Sequence, residues 1–487
     1  MAGKSRFVWK INNTMDQTRL PIWEKAKKYN CGTRAWLHVP GHGGGPGLPP
    51  ETASLLAGSA RFDLTELPGL DDLFCPQGAI KDAQALAACV WHSDACYFLV
   101  NGSSAGVLAM ILSVCSPGDI IVAPRTAHSS FYHALILSGA VPRYLPVPQA
   151  AGIHLNVDDK AVRAALSVNP DAKAVFLTSP SYHGVCANVS AIAGITAEYN
   201  IPLLVDEAHG AHLGFFAGLP PAAGALADLR VQSWHKTLGA LTPGAVLHKT
   251  GPRINTFRLE DTLQWVQTSS PSYPLLLSLD AVRKQMALSG EELARRMFEH
   301  ALELRSRLKE AVPLLGEEQV NAQGFSLDIT KVTVLAAQGG FNGLKACQEL
   351  NKNGIDVELA QPDHLLALVG PGYQRIHTAK IADVFCSIAA DRAESAKLPL
   401  LPQPDVVLPP RDAYYSKSRS VSPGNAVGMV SATMVTSYPP GIPLLVPGER
   451  ITEEIIDYLT LAHQTGAHFR GLNSDGHIRV CCGEVKE

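Results

Sequence analysis

The sequence has little excess charge and no long apolar run. Its 41 Lys and Arg residues nearly balance 44 Asp and Glu residues, which leaves a net charge of −3. This balance excludes a protein that binds nucleic acid or an anionic membrane mainly through its charge. No apolar stretch reaches the roughly 20 residues of a transmembrane helix. We therefore predict neither a nucleic-acid partner nor a membrane partner.

Patterns for metal ligation and for disulfides are also missing. The 10 cysteines are scattered, with no CxxC pair and no His/Cys ligand spacing. Reduced thiols in a reducing compartment fit this distribution, and we predict no metal. The first ten residues are basic and lack the apolar core of a secretory signal. We expect a cytoplasmic protein, or one of a plastid or other organelle if this basic segment is the remnant of a transit peptide.

What the sequence does contain is a regular alternation of short apolar runs and helical windows between about 80 and 250. The chain is 487 residues long and 46% apolar, which is enough for two or three domains. The alternation predicts an α/β fold whose parallel sheet is covered on both faces, with ligands at the carboxyl ends of the strands. The predicted strands are 95–100, 119–124, 174–178 and 203–205, and the predicted helices are 79–92, 104–115, 129–138, 158–168 and 188–199.

The pattern changes after residue 250, and this change suggests domain boundaries. Residues 255–315 are mostly helical in pattern, and mixed elements follow from 325, for example at 342–353 and 378–395. A proline-rich connector at 398–410 precedes a last unit with a helix at 451–466. We predict an N-terminal arm at 1–60, a large domain at 61–315, a small α/β domain at 316–400 and a C-terminal domain at 401–487.

Two stretches within 203–237 carry the chemistry. Asp206-Glu-Ala208-His209 ends a buried apolar run, and Ser233-Trp-His235-Lys236 follows a shorter one about one strand–helix–strand repeat later. A lysine there can form a Schiff base with an aldehyde cofactor, and a carboxylate can hold the ring nitrogen of that cofactor protonated. These are the requirements of a pyridoxal phosphate (PLP) enzyme, with small hydroxyl residues on the phosphate. We predict Lys236 and Asp206 as catalytic residues.

The same residues permit other interpretations. Asp-Glu-Ala-His is also a helicase motif, but a nucleotide-binding loop GxxxxGK[ST] should then precede it. The sequence has Gly3-Lys4-Ser5 at its N-terminus without the upstream glycine or a strand. A lone lysine after a strand is usually a solvated loop residue, and the register with Asp206 and Ser233 argues against this for Lys236.

Further side chains are predicted to surround the cofactor. Gly102-Ser103-Ser104 follows a strand and opens a helix, which suits a phosphate. His128 occupies a corresponding position after the next strand, and we predict that it stacks on the ring and takes part in catalysis. The other predicted cofactor-binding residues are Ala208 on the opposite ring face, His209, and the phosphate candidates Ser233 and His235.

These motifs resemble those of the PLP fold-type-I ornithine/lysine/arginine decarboxylases, in the short form without an N-terminal wing domain. The resemblance covers about 15–470. It rests on the motifs beginning at Met15, His38, Asp63, Ser181, Thr268 and Tyr438, together with the lysine motif. It implies an aspartate-aminotransferase-like fold with a mostly parallel sheet and smaller α+β C-terminal domains. It also implies a homodimer, or a higher homo-oligomer, in which Thr268, Ser269 and Ser270 lie near the phosphate, contributed across the dimer interface. Ser270 is therefore a cofactor-binding candidate.

The resemblance implies decarboxylation of a basic L-amino acid in polyamine metabolism, with arginine preferred over lysine and lysine over ornithine. The family usually has lysine where this chain has Gly43 and Ser129, and both departures bear on substrate identity. An aminotransferase or lyase on the same fold is the alternative, and Arg375, Arg392 or Arg411 would then bind the substrate carboxylate. A regulatory homologue without catalysis is a third interpretation. Acidic candidates for the substrate side chain are Glu66, Asp71, Asp72 and Asp363, each also explained as a surface or capping residue.

Overall fold

The computed structural model describes residues 15–31, 34–56, 58–390, 405–437 and 441–482. The helices in these ranges are α1 (Pro21–Tyr29), α2 (Pro50–Leu56), α3 (Ala79–Val90), α4 (Gly102–Val114), α5 (Ser129–Ser138), α6 (Asp159–Val168), α7 (Val189–Glu198), α8 (Trp234–Thr237), α9 (Thr256–Val266), α10 (Tyr273–Leu308), α11 (Glu317–Asn321), α12 (Gly343–Lys352), α13 (Thr378–Ala390), α14 (Pro410–Tyr415) and α15 (Glu453–Gln464).

The strands in the same ranges are β1 (Ala95–Leu99), β2 (Ile120–Pro124), β3 (Val141–Leu145), β4 (Gln149–Ala150), β5 (Ile153–His154), β6 (Ala174–Thr178), β7 (Val185–Cys186), β8 (Leu203–Asp206), β9 (Leu229–Gln232), β10 (Ala245–Lys249), β11 (Ser326–Leu327), β12 (Lys331–Val334), β13 (Leu359–Ala360), β14 (Leu365–Leu368), β15 (Ser418–Val421), β16 (Val435–Ser437), β17 (Pro443–Leu445), β18 (Phe469–Arg470) and β19 (Ile478–Cys481).

The largest sheet has seven strands in the order β1-β10-β9-β8-β6-β2-β3. Strand β2 pairs in parallel with β3 and β6, whereas β10 runs antiparallel to both β1 and β9. Its central strands are buried along their whole length, as strands covered on both faces must be. The predicted cofactor residues lie at, or shortly after, the ends of three of these strands, β1, β8 and β9.

The predicted strands and helices of this region are confirmed, with ends shifted by one or two residues. The sequence did not predict β3, β9 and β10; the mostly parallel sheet that it did predict is confirmed, with β10 as its antiparallel member. Only the short helix α8 and a loop separate β9 from β10. Residues 233–244 between the two strands contain this one-turn helix and no longer crossover helix, and the chain returns antiparallel.

The chain divides into two compact units that interleave along the sequence. The first comprises residues 1–113, 205–217 and 221–295, and the second comprises residues 114–204, 218–220 and 296–487. In the first unit, Trp91 stacks on Trp234 with ring centroids 4.2 Å apart, and both rings are fully buried. This packing fixes α8, the helix that carries Lys236, against α3.

A buried ion pair holds the N-terminal segment within the first unit. Arg283 of α10 contacts Asp280 at 2.8 Å and donates a hydrogen bond of 2.8 Å to the carbonyl oxygen of Gln17. Asp280 in turn accepts a hydrogen bond from the Ile22 amide at the start of α1. The long helix α10 loses helical geometry at Ser289, where the following Gly290 packs against Phe215.

Two of the apolar cores that the described residues form lie in the second unit. One is formed by α12, α13 and β12–β14, including Val332, Phe341 and Phe385. Another joins α15 to β16, β17 and β19, including Ile455 and Val480. Helix α6 of this unit begins at a capping residue: the Asp158 side chain accepts a hydrogen bond from the Lys160 amide.

Some sequence predictions lie outside the described residues. These are the N-terminal segment 1–14, the connector residues 398–404 and the motif residues 438–440. The predicted helices at 342–353 and 451–466 are confirmed as α12 and α15, and the described part of 378–395 forms α13. In the part of the chain that the structure describes, no helix is long and apolar enough to cross a membrane. The predicted domain boundaries stay predictions.

Candidate active site

Strand β8 ends at the buried carboxylate of Asp206. The three residues before it in the strand are apolar and buried, so the strand leads directly from the core to the carboxylate. The Asp206 Oδ1 atom accepts a hydrogen bond of 3.1 Å from the Ala208 amide. Burial raises the pKa of the Asp206 carboxyl, and the positive charge of Lys236 and the Ala208 amide partly offset this. Such a carboxylate gains stability from a further cationic partner.

Lys236 lies on the single-turn helix α8, directly after β9. Its Nζ atom is 3.1 Å from Nε2 of His209, three residues beyond Asp206. The structure therefore brings together three predicted residues from the ends of two adjacent strands. The sequence predicted His209 only as a cofactor contact, and its position beside the lysine amine is new. An imidazole at this distance can exchange a proton with Nζ.

Two serines meet at the start of α4. Ser233 is fully buried, and its hydroxyl donates a hydrogen bond of 2.8 Å to the Ser103 Oγ atom. Gly102 precedes Ser103 with φ +77°, a conformation that favours glycine, and the first amides of α4 have no partner within the helix. Ser104 follows in the first turn and is exposed. Amides and hydroxyls gathered at a helix N-terminus suit a phosphate.

His235 is held on one side of its ring. Its Nδ1 atom lies 2.9 Å from the carbonyl oxygen of Gly244, so Nδ1 carries the proton that this bond needs. Burial lowers the pKa of the His235 imidazole, with the Gly244 carbonyl partly offsetting. A neutral ring therefore presents an unprotonated Nε2. The predicted role in phosphate binding requires that ring to gain a second proton, which a bound dianion favours.

The segment at 267–270 is anchored within its own chain. The Gln267 side chain accepts a hydrogen bond of 2.9 Å from the Val100 amide, and the Thr268 amide contacts the Asn101 side chain at 3.3 Å. The anchors lie at the end of β1, immediately before α4. Ser269 and Ser270 are exposed beyond them. The structure thus brings this segment next to the start of α4 in the same unit.

His128 belongs to the second unit, where it is the N-cap residue of α5. Its Nδ1 atom accepts a hydrogen bond of 3.2 Å from the Ser130 amide and lies 2.9 Å from the Ser130 hydroxyl. These contacts fix the orientation of the ring. Its predicted place against the cofactor stays a prediction, as does that of the buried Ala208.

A buried polar network behind Lys236 was not predicted. The Glu207 carboxylate accepts a hydrogen bond of 2.6 Å from the Gln232 side chain and lies 3.5 Å from the guanidinium of Arg230. The Gln232 Oε1 atom accepts a bond of 3.1 Å from the Trp234 indole. The network connects the end of β8 to α8. The sequence contains one sign of this network, because the charged Arg230 and the amide Gln232 lie within the otherwise apolar strand β9.

The acidic candidates for the substrate side chain mostly have structural partners. Asp71 caps α3, because it accepts hydrogen bonds from the Gly78 and Ile80 amides at 2.9 and 2.8 Å. Asp363 pairs with His364 at 2.7 Å. Asp72 accepts from the Phe74 amide, and Glu66 is bonded by the adjacent Thr65 hydroxyl. The capping explanation therefore holds for Asp71, and none of the four is brought to Lys236 by a described contact.

These residues fit PLP. The Asp206 carboxyl is buried, its pKa is raised, and the amine of Lys236 lies beside it. The first turn of α4 meets the start of the lysine helix α8 through the hydrogen bond between Ser103 and Ser233. The three parts match the ring nitrogen, the aldehyde and the phosphate of that cofactor. Among the described residues there is no cluster of metal ligands.

Comparison with known proteins identifies the family. Residues 20–377 match the model of the Orn/Lys/Arg decarboxylase major domain, and residues 395–480 match that of the Orn/Lys/Arg decarboxylase C-terminal domain. The chain belongs to the Orn/Lys/Arg decarboxylase family. An arginine decarboxylase of Bacillus subtilis (strain 168) is 34% identical over 459 residues, which cover 91% of this chain and 94% of that protein.

Solved structures agree on the fold. The constitutive lysine decarboxylase of E. coli has a TM-score of 0.80 at 20% identity, covering 96% of this chain and 82% of that chain. A structure of SPT with PLP has a TM-score of 0.51 at 15% identity, covering 63% of this chain and 76% of that chain. The predicted family, the PLP fold type I, the decarboxylase class and the cofactor are confirmed.

Proposed function

We propose that this protein is a PLP-dependent decarboxylase that acts on L-arginine in preference to lysine and ornithine, at a site built on Lys236 and Asp206. The observation that carries the proposal is the contact of Lys236 Nζ with His209 beside the buried Asp206 carboxylate. When bound, PLP supplies a cationic ring that accepts the electron pair left at Cα as carbon dioxide departs.

The residues of the chain have separate tasks in this proposal. Asp206 keeps a proton on the ring nitrogen, because an ionised carboxylate in a buried site strongly favours a cationic partner. Lys236 provides the amine that attaches the cofactor, and its Nζ exchanges protons with His209 at 3.1 Å. The same amine returns a proton to Cα after carbon dioxide has left. Ser103, Ser104, Ser233 and His235 bind the phosphate, with Ser270 of the neighbouring subunit as a further contact.

The preference for arginine is supported by the relatives. The relative that is 34% identical is named for arginine, whereas the structural neighbour named for lysine is 20% identical. To test the substrate, the purified protein with PLP is incubated separately with arginine, lysine and ornithine, and the released amine is identified by mass. We expect agmatine to form fastest. Faster release of cadaverine or putrescine would transfer the assignment to lysine or ornithine.

Contacts of two arginines argue against an aminotransferase. Arg375 is paired with Glu303 at 2.5 Å, and Arg411 donates a hydrogen bond of 2.8 Å to the carbonyl oxygen of Leu137. Arg392 lies outside the described residues. A transaminase fixes the substrate carboxylate with such a residue, whereas a decarboxylase gains when this carboxylate is poorly solvated. Detection of a keto acid instead of an amine would favour the alternative.

We also propose that the enzyme is a cytoplasmic homodimer in which the segment 268–270 contributes to the phosphate site of the neighbouring subunit. Mixing two inactive variants tests this. Lys236→Ala disables its own site, and Ser269→Phe combined with Ser270→Phe should disable the site of the partner. Each heterodimer then regains one intact site, at most half of the wild-type activity. If the mixture stays inactive after subunit exchange is confirmed by mass, the segment acts within its own chain.

A further inference from the structure

Lys236 lies on a helix that is too short to hold its own position. Helix α8 has four residues, and this single turn is closed by a hydrogen bond of 3.0 Å from the Leu238 amide to the Trp234 carbonyl oxygen. One turn fixes several dihedral angles for very few hydrogen bonds, so it is not stable by itself. The position of the Lys236 amine therefore depends on the residues that bind α8 from outside.

Trp234, two residues before Lys236, is the buried anchor of this helix. Its ring is fully buried, stacks on Trp91 and meets Phe98 edge-on with ring centroids 6.2 Å apart. Its indole N–H donates a hydrogen bond of 3.1 Å to the Oε1 atom of Gln232, the last residue of β9. Apolar burial is non-directional, whereas a hydrogen bond requires its donor and acceptor to be aligned. The bond to Gln232 therefore fixes where the anchored ring lies within its apolar site.

The Gln232 amide has one orientation in these surroundings. An indole nitrogen can only donate, so the amide oxygen must face Trp234, and the amide nitrogen then donates to the Glu207 carboxylate at 2.6 Å. The same oxygen lies 3.2 Å from Nε2 of His248 on the neighbouring strand β10. Burial and the positive charge of Arg230 lower the pKa of the His248 imidazole well below its ordinary value, so a neutral ring donates through Nε2. With two donors on its oxygen, the amide keeps this orientation whatever the charge of Glu207.

Gln232 connects α8 to the segment that follows Asp206. Glu207, which accepts from the Gln232 amide, directly follows Asp206 and stands two residues before His209. The Lys236 amine lies 3.1 Å from Nε2 of that histidine. One buried side chain therefore links the two segments that meet at the lysine amine, and the whole linkage lies within the first compact unit.

We propose that Gln232 is a positioning residue for the reaction: by holding the Trp234 indole it places α8 so that the Lys236 amine stays beside His209. The inference rests on the proposed function, in which this amine attaches the cofactor and exchanges protons with His209. Gln232 is fully buried and acts through Trp234. A buried glutamine with a purely structural role would change the stability of the protein and leave the reactivity of the amine as it was.

The reactivity of Lys236 in the cofactor-free protein tests the position of its amine. The protein is methylated with formaldehyde and cyanoborohydride, and the labelling rate of Lys236 relative to the exposed Lys25 of the same unit is measured by peptide mass spectrometry. The neutral amine reacts, and the Asp206 carboxylate favours the charged form. Gln232→Leu should let the amine move away from that carboxylate, so we expect labelling of Lys236 to be about threefold faster or more.

With cofactor, the same variant should lose affinity and turnover. We expect the dissociation constant of PLP to rise about tenfold and kcat at saturating PLP to fall about tenfold, because a displaced reacting amine costs rate. KM for the amino acid should change less than about twofold, since the interaction is made by the enzyme with its own lysine.

A double-mutant cycle tests whether the effect passes through the indole. Trp234→Phe keeps an aromatic ring and removes the indole donor, so it breaks the same link at its other end. In the Trp234→Phe background, Gln232→Leu should change labelling and PLP affinity by less than about twofold, because contacts in one network are not additive.

A matched variant separates positioning from stability. Gln17→Leu removes another buried glutamine of the first unit, whose side chain accepts a hydrogen bond of 3.2 Å from Arg283. It should lower the unfolding midpoint and leave both the labelling of Lys236 and the PLP affinity unchanged. If Gln232→Leu does not fold, Trp234→Phe alone goes through the same measurements against this control.

Two results would overturn the inference. One is unchanged labelling and PLP affinity in Gln232→Leu, or in Trp234→Phe where it replaces that variant, since the amide would then only stabilise the fold. The other is a multiplicative effect in the double variant, since Gln232 would then act independently of the indole. A wild type that does not bind PLP contradicts the proposed function instead, and the labelling of Lys236, which needs no cofactor, still decides whether Gln232 positions the amine.

Discussion

Asp206 and Glu207, two consecutive residues at the end of β8, are both buried but have contrasting surroundings. On the core side, Glu207 accepts hydrogen bonds from the Ala223 amide at 2.7 Å and from Gln232 at 2.6 Å, and it faces the buried guanidinium of Arg230. On the other side, Asp206 accepts a hydrogen bond from the Ala208 amide, and the positive charge that acts on its carboxyl is that of Lys236. Burial raises the pKa of both carboxyls.

The difference lies in their cations. Arg230 is fully buried and cannot lose its proton, so Glu207 is needed to balance a charge that water does not reach. Lys236 is half-buried, and its amine can give a proton to His209. Successive residues of a strand point to opposite faces, which is how one strand serves both environments. We infer that Glu207 is structural and that Asp206 is reserved for a ligand.

Removing the cation on the Asp206 side should have the largest effect. We expect Lys236→Ala to abolish amine release, because Lys236 is the amine that lies beside Asp206 and attaches the cofactor in our proposal. We also expect it to abolish the visible absorbance of the bound cofactor. Its unfolding midpoint at neutral pH should fall modestly, because the buried Asp206 carboxyl loses the positive charge of Lys236. Amine release, absorbance and circular dichroism measure the three quantities. Retained absorbance in the variant would place the attachment at another lysine.

Neutralising Asp206 should have the next largest effect. Asp206→Asn keeps the shape of the site but no longer holds the ring nitrogen protonated. An interaction of this kind at a site of developing charge is worth on the order of 3 kcal/mol, so kcat should fall about a hundredfold. Steady-state kinetics with saturating PLP measure it. Turnover near that of the wild type would mean that another group holds the ring nitrogen.

The sequence predicts the Asp206 side of this comparison but not the Glu207 side. Asp206, Ser233 and Lys236 stand in short motifs at strand ends, where an apolar run marks both the strand and its exit. The partners of Glu207 could not be predicted, because Arg230 and Gln232 lie inside a strand whose polar residues weaken the apolar signal. The ion pair of Arg125 and Glu449, both buried, spans 324 positions, and no local pattern in one sequence joins them.

The strands that sequence reasoning missed have a similar explanation. Strand β3 contains Pro142 and Arg143, which interrupt its apolar run. It lies at the edge of the sheet, where proline is tolerated because one side of the strand needs no hydrogen bonds. Edge position follows from the assembled sheet, and a pattern read along the chain does not contain it.

On the core side, Glu207→Gln should lower stability where Asp206→Asn lowers turnover. Breaking a buried pair by removing one partner leaves an uncompensated charge, here on Arg230, and costs about 3 kcal/mol. We expect a lower free energy of unfolding in urea, with the PLP affinity of the folded fraction changed less than twofold. The matched pair Asp206→Asn and Glu207→Gln differs by one position in sequence. Equal stability losses in both variants would remove the distinction between the two carboxylates.

The smallest effect should appear in the protein freed of cofactor, as a dependence of stability on pH. Because burial raises the pKa of Asp206 in the folded state, folding favours its protonated form. Below the ordinary pKa of an aspartate, the carboxyl is protonated whether the chain is folded or not, and no penalty arises. As the pH rises through the raised pKa, the folded wild type must ionise a buried group and loses stability. Asp206→Asn carries no such charge, so we expect its stability relative to the wild type to grow as the pH rises from the ordinary to the raised pKa of Asp206, and to stay level above the raised pKa. Urea unfolding from pH 4 to pH 8 measures this difference in stability.

Added PLP should make the wild type the more stable protein, because a cationic ring nitrogen stabilises the ionised wild type and not the variant. A wild type that is the more stable protein across the whole range without cofactor would show that Lys236 already balances Asp206, and that the carboxylate is not held in reserve for a ligand.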